Sequence, residues 1–293
     1  MYRFEANGDW ALVETELVRR EAARIPVFDR GLLFAHSAYE VTAVFNGQPV
    51  DSDAHFQRLA RTLAALDLPM PHDIETMNGL QDALISRNRL REGLVYFQVT
   101  AGDYGGRDFA GPSRLRPRLL GFCTHKRLIG EAARDGVSAI SLPDQRWARR
   151  DLKTTQLLTQ ALAYRAAREA GAATAIMHEA GEVTEAASAN VWMVDADGRL
   201  VTRDLSPAIL AGVTRAAVLG SGFDVEERTF TLEALRAARE VFTTSTGAMI
   251  LPIVEIDGEP VGDGRPGAVT REVQGRYYRR IGADMDERAP WLS

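Results

Sequence analysis

The sequence predicts an α+β protein made of two halves, a smaller N-terminal α/β domain and a larger C-terminal one. Three observations support this fold class. Apolar residues at helical spacing alternate with runs of β-branched and aromatic residues in both halves. A polar segment, residues 125–134, separates the halves. A chain of 293 residues is long enough for two domains with cores. We therefore expect domains at residues 1–124 and 135–293, joined by a linker at 125–134.

In the first half, the pattern predicts three main strands and two helices. Apolar spacing predicts one helix that begins after Asp53, its N-cap, and a second that begins near Ile74. Asn7-Gly8 predicts a hairpin turn among short strands in residues 1–29. Runs of β-branched and aromatic residues predict strands at 39–45, 94–100 and 118–124.

The second half alternates between strands and helices along its length. A C-terminal helix is expected to begin near Gly267, and an earlier helix is expected to stop at Gly171. The predicted strands are 137–142, 173–178, 191–194, 200–202, 241–244, 250–256 and 259–261. The helix that stops at Gly171 covers residues 157–170, and the other predicted helices are 210–219 and 232–239.

Charge and composition exclude several classes of partner. The formal net charge of −5 gives no electrostatic reason to bind nucleic acid or an anionic membrane. No apolar run approaches the length of a membrane span, and the five histidines form no metal-ligand spacing with each other or with Cys123. Cys123 is the single cysteine and is expected to be buried, which fits a reducing compartment. Residues 1–5 lack a signal-peptide pattern, so we expect a cytoplasmic protein.

Lysine is scarce in this sequence. Of 35 lysines and arginines, only Lys126 and Lys153 are lysines. An ammonium loses its proton and attacks carbonyls far more readily than a guanidinium does, and its usual use is a Schiff base to an aldehyde cofactor. Lys126 lies in a polar run that resembles solvated surface, whereas Lys153 stands between a predicted strand and an apolar helix. The alternative is that both lysines simply escaped the arginine bias.

The second half offers the other groups that pyridoxal phosphate requires. The cofactor needs a carboxylate at its ring nitrogen, anion donors for its phosphate, and small residues near its ring. Glu185 lies among small side chains, Val213-Thr214 follow a glycine at a predicted helix start, and Ser245-Thr246 end a predicted strand. Each also has an ordinary interpretation, as a surface glutamate, a helix cap or a turn. In combination with Lys153 they favour a pyridoxal phosphate enzyme.

From Val27 to about Gly264, the sequence resembles the fold-type IV pyridoxal phosphate transaminases, and within them most resembles the bacterial D-amino-acid aminotransferases. The resemblance implies the two-domain fold-type IV architecture and a homodimer with sites at the domain cleft and subunit interface. The segments that carry it are Ala38-Tyr39-Glu40-Val41, residues 95–100, Arg146-Trp147 with Asp151-Leu152-Lys153, Val183-Thr184-Glu185 with residues 188–191, residues 209–215, Thr244-Ser245-Thr246, and residues 252–258.

The resemblance also implies a role for individual residues. Lys153 would form the Schiff base and move the α-proton, and Glu185 would pair with the pyridinium nitrogen. Arg58 would hold the phosphate, although its helical position alone favours a solvated arginine. The further cofactor contacts implied are Leu210, Val213, Thr214, Ser245 and Thr246. The substrate contacts implied are Tyr39, Val41, Arg107, Phe109, Ser188 and Gly247.

The loop at 101–117 departs from the family pattern. It carries four glycines and two prolines and is too long for a simple connector, so we expect it to be functional. Related D-amino-acid enzymes place an arginine here and, in the best-known examples, a histidine two residues on. Arg107 matches the arginine if one residue is inserted before it, and Phe109 then takes the place of the histidine.

Several functions therefore stay open. The first is transfer of an amino group between a D-amino acid of the D-alanine and D-glutamate class and a 2-oxo acid, by a ping-pong mechanism. The imperfect loop and His36-Ser37 favour, as an alternative, an (R)-selective amine transaminase. A branched-chain L-amino-acid aminotransferase and an aminodeoxychorismate lyase share the fold. A protein that binds pyridoxal phosphate without turnover is the alternative from another class.

The first prediction concerns Lys153. We expect Lys153→Ala to abolish transaminase turnover while the fold survives, because alanine has no amine that can form a Schiff base or carry a proton. Activity assays together with circular dichroism check both parts. Lys126→Ala serves as the control and is expected to keep activity. Full activity in Lys153→Ala would overturn the assignment of the catalytic amine.

Overall fold

The computed structural model describes residues 7–292 and divides the chain into two units. The first unit comprises Met1–Arg127 and Leu152–Gln156, and the second comprises Leu128–Asp151 and Leu157–Ser293. The division after Arg127 falls inside the segment predicted as a linker, and the short stretch around Lys153 groups with the first unit. Mixed helix and sheet in both units confirms the predicted α+β class.

Among the described residues of the first unit, six strands form one antiparallel sheet in the order β2-β1-β6-β5-β3-β4. The strands are β1 (Asn7–Val13), β2 (Glu16–Arg19), β3 (Ser37–Phe45), β4 (Gln48–Pro49), β5 (Gly93–Thr100) and β6 (Arg118–His125). The helices are α1 (Arg30–Phe34), α2 (Ser52–Ala65) and α3 (Ile74–Asn88).

The core of the first unit lies where α2 and α3 pack on this sheet. Phe56, Leu59 and Leu63 from α2 meet Met77 and Leu84 from α3, and all five are buried. Their spacing in the sequence is the helical repeat that predicted both helices. Burial of each such side chain stabilises the fold by roughly 1.5–3 kcal/mol.

Two predictions in this unit were wrong in detail. Asn7-Gly8 begins β1 instead of forming a turn. The glycine is needed for a different reason: a Cβ on Gly8 would lie 2.2 Å from Oδ1 of Asn88, and only glycine permits that approach. Helix α2 begins at Ser52 after Asp51. The Asp53 carboxylate accepts a hydrogen bond from the Asn78 side chain at 2.7 Å instead of capping the helix. Residues 1–6 of the predicted N-terminal strands lie outside the described residues.

In the second unit, as far as residue 292, nine strands form one sheet in the order β12-β11-β10-β13-β14-β7-β8-β9, with β15 paired to β14. The strands are β7 (Val137–Pro143), β8 (Thr174–Glu179), β9 (Glu182–Ala186), β10 (Asn190–Val194), β11 (Leu200–Thr202), β12 (Val225–Glu227), β13 (Glu240–Ser245), β14 (Met249–Ile256) and β15 (Glu259–Pro260). The helices are α4 (Glu131–Asp135), α5 (Leu158–Glu169), α6 (Val213–Leu219), α7 (Leu232–Arg236), α8 (Ala268–Arg280) and α9 (Met285–Arg288).

The strand that carries Glu185 was not predicted. β9 pairs with β8 and holds Thr184 and Glu185 buried side by side, so polar residues interrupt the alternation that would mark a strand. Strand β10 is buried along its whole length, as its continuous apolar run predicts. Within residues 7–292, no helix is both long enough and apolar enough to cross a membrane.

A buried ion pair joins β3 to α2 in the first unit. Arg58 donates from Nε to Glu40 Oε1 at 2.7 Å and from Nη2 to Glu40 Oε2 at 2.8 Å. His55 Nδ1 lies 2.8 Å from Glu40 Oε2. Burial raises the pKa of Glu40, but Arg58 and the hydrogen bonds from Arg58 and His55 more than offset this and hold the pKa at about 2. The carboxylate therefore stays ionised at neutral pH.

We expect Glu40→Gln to lower the free energy of unfolding by about 3 kcal/mol at pH 7, since Arg58 would remain buried beside a neutral amide. Urea denaturation of the cofactor-free protein measures this. The matched control is Glu75→Gln, which changes an exposed glutamate on α3 and is expected to have little effect.

The same pair predicts a pH dependence. The folded protein keeps Glu40 ionised down to about pH 2, whereas the unfolded chain takes up the proton near its ordinary pKa of 4.5. The contribution of Glu40 to stability is therefore present above pH 4.5 and is lost as the pH falls from 4.5 to about 2. Glu40→Gln should flatten this part of the stability curve. An unchanged curve in the variant would contradict the prediction.

Candidate active site

The segment that carries Lys153 is bound to the start of β3. The backbone N–H of Tyr39 donates to the carbonyl of Lys153 at 3.0 Å, and Thr154 forms a β-bridge with Ala38. The backbone N–H of Lys153 lies 3.4 Å from the Thr62 hydroxyl on α2. The lysine is therefore fixed by its backbone against both a strand and a helix of the first unit.

The Lys153 side chain lies over an aromatic ring. Its Nζ is 4.3 Å from the ring centroid of Tyr39, a cation–π contact. Tyr39 stacks on Tyr96 at 5.4 Å, and Tyr96 stacks on Phe122 at 4.8 Å. Because side chains alternate along a strand, Val41 lies on the same face of β3 as Tyr39. Thus Lys153 and Tyr39 are in contact, and Val41 shares the strand face of Tyr39.

Arg58 is buried, with 5% of its surface exposed, and is not the solvated helix residue that its position alone suggests. It is bound to Glu40, which follows Tyr39 on β3. Because side chains alternate along a strand, Glu40 and Tyr39 point to opposite faces of β3. Its contact with a phosphate stays a prediction.

In the second unit, Glu185 is a buried carboxylate with 4% of its surface exposed. Arg146 donates from Nη1 to Oε1 of Glu185. Oε2 accepts from the side-chain amide of Asn190 and from the backbone N–H of Leu210, each at 3.2 Å. Leu210, predicted as a cofactor contact, therefore also fixes the carboxylate through its backbone.

Asp144 holds the arginine that binds Glu185. The Arg146 guanidinium donates to the two Asp144 oxygens, from Nε at 3.0 Å and from Nη2 at 2.7 Å. Thr184 donates its hydroxyl to Asp144 at 2.6 Å. Burial raises the pKa of Asp144, but its bonds to Arg146 lower it further than burial raises it. Burial also raises the pKa of Glu185, and Arg146 opposes that rise without cancelling it.

Asn190 ties together the predicted segments of the second unit. Its side-chain amide donates to the carbonyl of Leu210 at 2.8 Å as well as to Glu185, and its backbone pairs with Thr244 on β13. A Cβ on Gly212 would lie 2.1 Å from Oδ1 of Asn190, so this glycine allows the chain before α6 to approach. The structure therefore brings Glu185, Leu210 and the region that precedes α6 together.

The remaining predicted residues of this unit lie at element ends. Val213 and Thr214 form the first turn of α6, which follows Gly212 without a capping side chain among the described residues and packs against β13. Ser245 ends β13 and accepts a hydrogen bond from the backbone N–H of Ala248 at 3.2 Å, which closes a turn that includes Thr246 and Gly247. Ser188 is exposed, and its hydroxyl lies 2.5 Å from that of Tyr164.

Arg107 and Phe109 lie on the exposed loop between β5 and β6. The Arg107 guanidinium lies 4.7 Å from the ring centroid of Phe109 and 5.4 Å from that of Phe34. Phe109 is 72% exposed. The predicted carboxylate trap is therefore a guanidinium against two aromatic rings.

Sequence reasoning assigned no role to Asp144, Arg146, Asn190 or Glu40. A signal existed for Glu40, because one acid within a strand of apolar residues must find a partner when it is buried. Arg146 precedes Lys153 by seven residues, and nothing in that spacing reveals that it binds Glu185, which is 39 residues further along the chain.

The chain is similar to known aminotransferases in both sequence and fold. The family model for amino-transferase class IV matches residues 37–256. D-alanine aminotransferase of Listeria innocua is 37% identical over 278 residues, which cover 92% of this chain and 95% of that protein. The D-alanine aminotransferase of Staphylococcus haemolyticus is 32% identical, covering 92% and 96%. The solved structure of Escherichia coli branched-chain amino acid aminotransferase matches with a TM-score of 0.85 at 25% identity, covering 94% of this chain and 95% of that one.

We expect Arg146→Met to lower the free energy of unfolding by about 3 kcal/mol, because two buried carboxylates lose their shared counter-charge. Without Arg146 the pKa of Glu185 rises further than burial already raises it in the parent, so the loss relative to the parent should grow with pH once the folded parent releases this proton and the folded variant still retains it. Urea denaturation at several pH values measures both effects.

The matched control is Arg149→Met, which removes an exposed arginine that pairs with Asp151 and is expected to cost little. A further variant isolates Glu185: adding Glu185→Gln to Arg146→Met should recover part of the loss at high pH. An equal loss with and without Glu185→Gln would show that Arg146 does not act through Glu185.

Proposed function

The chain belongs to the amino-transferase class IV family, and on that premise we propose that it moves the amino group between a D-amino acid of the D-alanine and D-glutamate class and a 2-oxo acid. The observation that carries the proposal is the position of the Lys153 amine over Tyr39, the residue predicted to face the substrate. The D-alanine aminotransferases described above, with up to 37% identity over 92% of the chain, support the choice of amino donor.

Pyridoxal 5'-phosphate is the proposed cofactor, and the residues present fit it. A buried carboxylate with a raised pKa, such as Glu185, is stabilised by a cationic N–H, and a protonated ring nitrogen supplies one. The first turn of α6 offers backbone N–H groups that no described side chain caps. The residues that would hold the group are Lys153, Glu185, Leu210, Arg58, Val213, Thr214, Ser245 and Thr246. When bound, it supplies an electron sink for the negative charge that develops at the substrate Cα.

The proposed roles of the chain's own residues follow from their contacts. Lys153 would take the proton from the substrate Cα through Nζ and deliver it to the cofactor carbon, and would move a proton in the opposite direction in the second half-reaction. Glu185 would hold a proton at the ring nitrogen, and Arg146 orients the carboxylate and opposes the rise in its pKa that burial causes. The donor leaves as a 2-oxo acid before a second 2-oxo acid enters, which is the ping-pong order.

Substrate handedness depends on which side of the site holds the carboxylate. We assign that role to Tyr39 on β3 and to Arg107 on the loop that would reach the site from a second subunit, with Val41, Phe109, Ser188 and Gly247 as further substrate contacts. A bidentate pair between a guanidinium and a carboxylate fixes orientation as well as position. Tyr39 and Arg107 would bind each 2-oxo acid in the same way, because it too carries a carboxylate.

A homodimer is the proposed assembly. Exposed apolar side chains, among them Val27, Phe28, Leu32 and Phe109, lie on the segment before α1, on α1 itself and on the loop after β5, and exposed apolar surface of this kind supports association. Cys123, the single cysteine of the chain, is free and buried, and a single unpaired cysteine fits a reducing compartment, which supports the cytoplasm as the site of action.

One observation favours a second candidate. By the resemblance to D-amino-acid enzymes, Phe109 takes the place of a histidine, and its apolar ring has no N–H to donate to a carboxylate, which favours an (R)-selective amine transaminase. The branched-chain enzyme of Escherichia coli has the same fold, so the fold alone does not choose between L- and D-amino acids. An aminodeoxychorismate lyase would keep Lys153 and Glu185, whereas the presence of Lys153, Glu185 and the phosphate-site residues argues against a binding protein without turnover.

The half-reaction separates these candidates. We expect D-alanine and D-glutamate to bleach the absorbance of the bound cofactor, while L-leucine and (R)-1-phenylethylamine do so at least tenfold more slowly, because only the D-amino acids offer a carboxylate on the required side. Stopped-flow absorbance on the purified holoenzyme measures each rate, with Lys153→Ala as the control without a reactive amine.

Each other result selects another function. Bleaching by the amine at the same rate as by D-alanine would replace the proposal with an amine transaminase. Fast bleaching by L-leucine alone would indicate a branched-chain enzyme. A protein that takes up no pyridoxal phosphate would refute the whole proposal.

A further inference from the structure

Arg30 is a buried arginine that the proposed reaction does not use. It lies at the start of α1 and is 7% exposed. Its Nη1 donates to the carbonyl of Asp108 at 2.5 Å, and its Nη2 donates to the carbonyl of Phe109 at 2.9 Å. Its backbone N–H donates to the carbonyl of Gly102 at 2.9 Å. Arg30 thus holds the loop between β5 and β6 at two places, at its start and just after Arg107.

The neighbouring Asp29 fixes Arg30 to the sheet. Asp29 is fully buried, and its carboxylate accepts from the backbone N–H of Gly31 at 2.7 Å and from the hydroxyl of Thr100, the last residue of β5, at 2.8 Å. Its backbone forms a β-bridge with Asp103. The position of Arg30 is therefore set by the end of the strand from which the loop departs.

The absence of a side chain at Gly111 leaves space for the guanidinium of Arg30. A Cβ on this residue would lie 2.9 Å from Nη1 and 3.0 Å from Cζ of Arg30. Its φ of +68° is also in the left-handed region that favours glycine. The loop therefore closes over Arg30 at a residue with no side chain.

Aromatic rings connect Arg30 to Arg107. The Cζ of Arg30 lies 4.8 Å from the ring centroid of Phe34, and the Cζ of Arg107 lies 5.4 Å from the same centroid. Phe34 and Phe109 are 5.2 Å apart between centroids. Rings packed against a guanidinium plane leave its N–H edge for a carboxylate, which it binds bidentately.

We propose that Arg30 is the positioning residue of the loop between β5 and β6, residues 101–117, and that it makes recognition of carboxylate-bearing substrates depend on the backbone of residues 108 and 109. The proposal rests on the proposed function and deepens it. Arg30 does not touch the substrate. It fixes the carbonyls of Asp108 and Phe109, and Phe109 in turn packs on Arg107, which binds the carboxylate.

The chemistry of arginine explains why this residue type is needed. A guanidinium presents several N–H groups in a fixed plane and so binds two neighbouring carbonyls at once, whereas an ammonium is a single flexible point charge. The Nε of Arg30 is buried and has no hydrogen-bond partner among residues 7–292. A buried donor without a partner costs stability, which indicates that the position of this side chain is kept for its contacts with the loop.

The test compares Arg30→Lys with Arg271→Lys in the holoenzyme. Arg271 is a matched control, because it also donates to two consecutive carbonyls, those of Ala133 and Arg134, but lies on α8 of the second unit. We expect Arg30→Lys to raise KM for D-alanine about tenfold while kcat stays within about twofold, since the loop binds the carboxylate and not the reacting atoms. Arg271→Lys should keep both parameters.

Two further readouts separate positioning from a general loss of structure. Hydrogen exchange of the amides in residues 103–110 should become faster in Arg30→Lys and stay unchanged in Arg271→Lys. The half-reaction with (R)-1-phenylethylamine, measured without a 2-oxo acid and however slow, should keep its parental rate in Arg30→Lys because the amine carries no carboxylate. Gly111→Ala should reproduce the effects of Arg30→Lys, since its methyl group would displace the guanidinium.

Parental KM and parental exchange in Arg30→Lys would overturn the proposal, as would an equal loss of rate with the carboxylate-free amine. Failure of this proposal can be distinguished from failure of the proposed function. If the parent enzyme transaminates L-amino acids instead, D-specificity is wrong, but KM for the accepted amino acid and exchange in the loop still decide the role of Arg30.

Discussion

The second unit depends on one electrostatic constraint, the burial of the Glu185 carboxyl group. An ionised group removed from water must receive hydrogen bonds and a counter-charge, or it becomes neutral. Arg146 supplies the counter-charge, and Asp144 holds Arg146 from its other edge. Asn190 supplies a hydrogen bond and carries the constraint to the chain before α6 and to β13. The elements of this unit are therefore positioned around this carboxyl group, in addition to being packed around an apolar core.

The first unit meets the same constraint differently. Glu40 and Arg58 neutralise each other inside the fold, and this pair anchors β3, which presents Tyr39 from the next position along the strand. Lys153 reaches Tyr39 from a short segment that pairs with the start of β3. The backbone of Lys153 is held by hydrogen bonds to Tyr39 and Thr62, so the position of the residue is determined by the fold and its side chain is left available for chemistry.

Patterns in the sequence predicted what depends on neighbours along the chain, and missed what depends on distant partners. The helical repeats of α2 and α3 and the apolar run of β10 were predicted because burial determines them locally. The scarcity of lysine singled out Lys153. Strand β9 was missed because its buried polar residues have partners elsewhere in the sequence. The bond between Arg146 and Glu185, and the position of Gly8 beside Asn88, likewise join residues far apart along the chain.

The tether from Arg30 ends on main-chain carbonyls, and a carbonyl is the same group whatever side chain its residue carries. The side chains of the loop can therefore be exchanged by mutation while the loop keeps its anchor, provided that Gly111 remains. In the proposed function, the residues that hold the cofactor and the residues that select the substrate are therefore largely separate. Such a division lets a lineage acquire a new substrate through a few substitutions in one surface loop, without passing through forms that have lost the reaction.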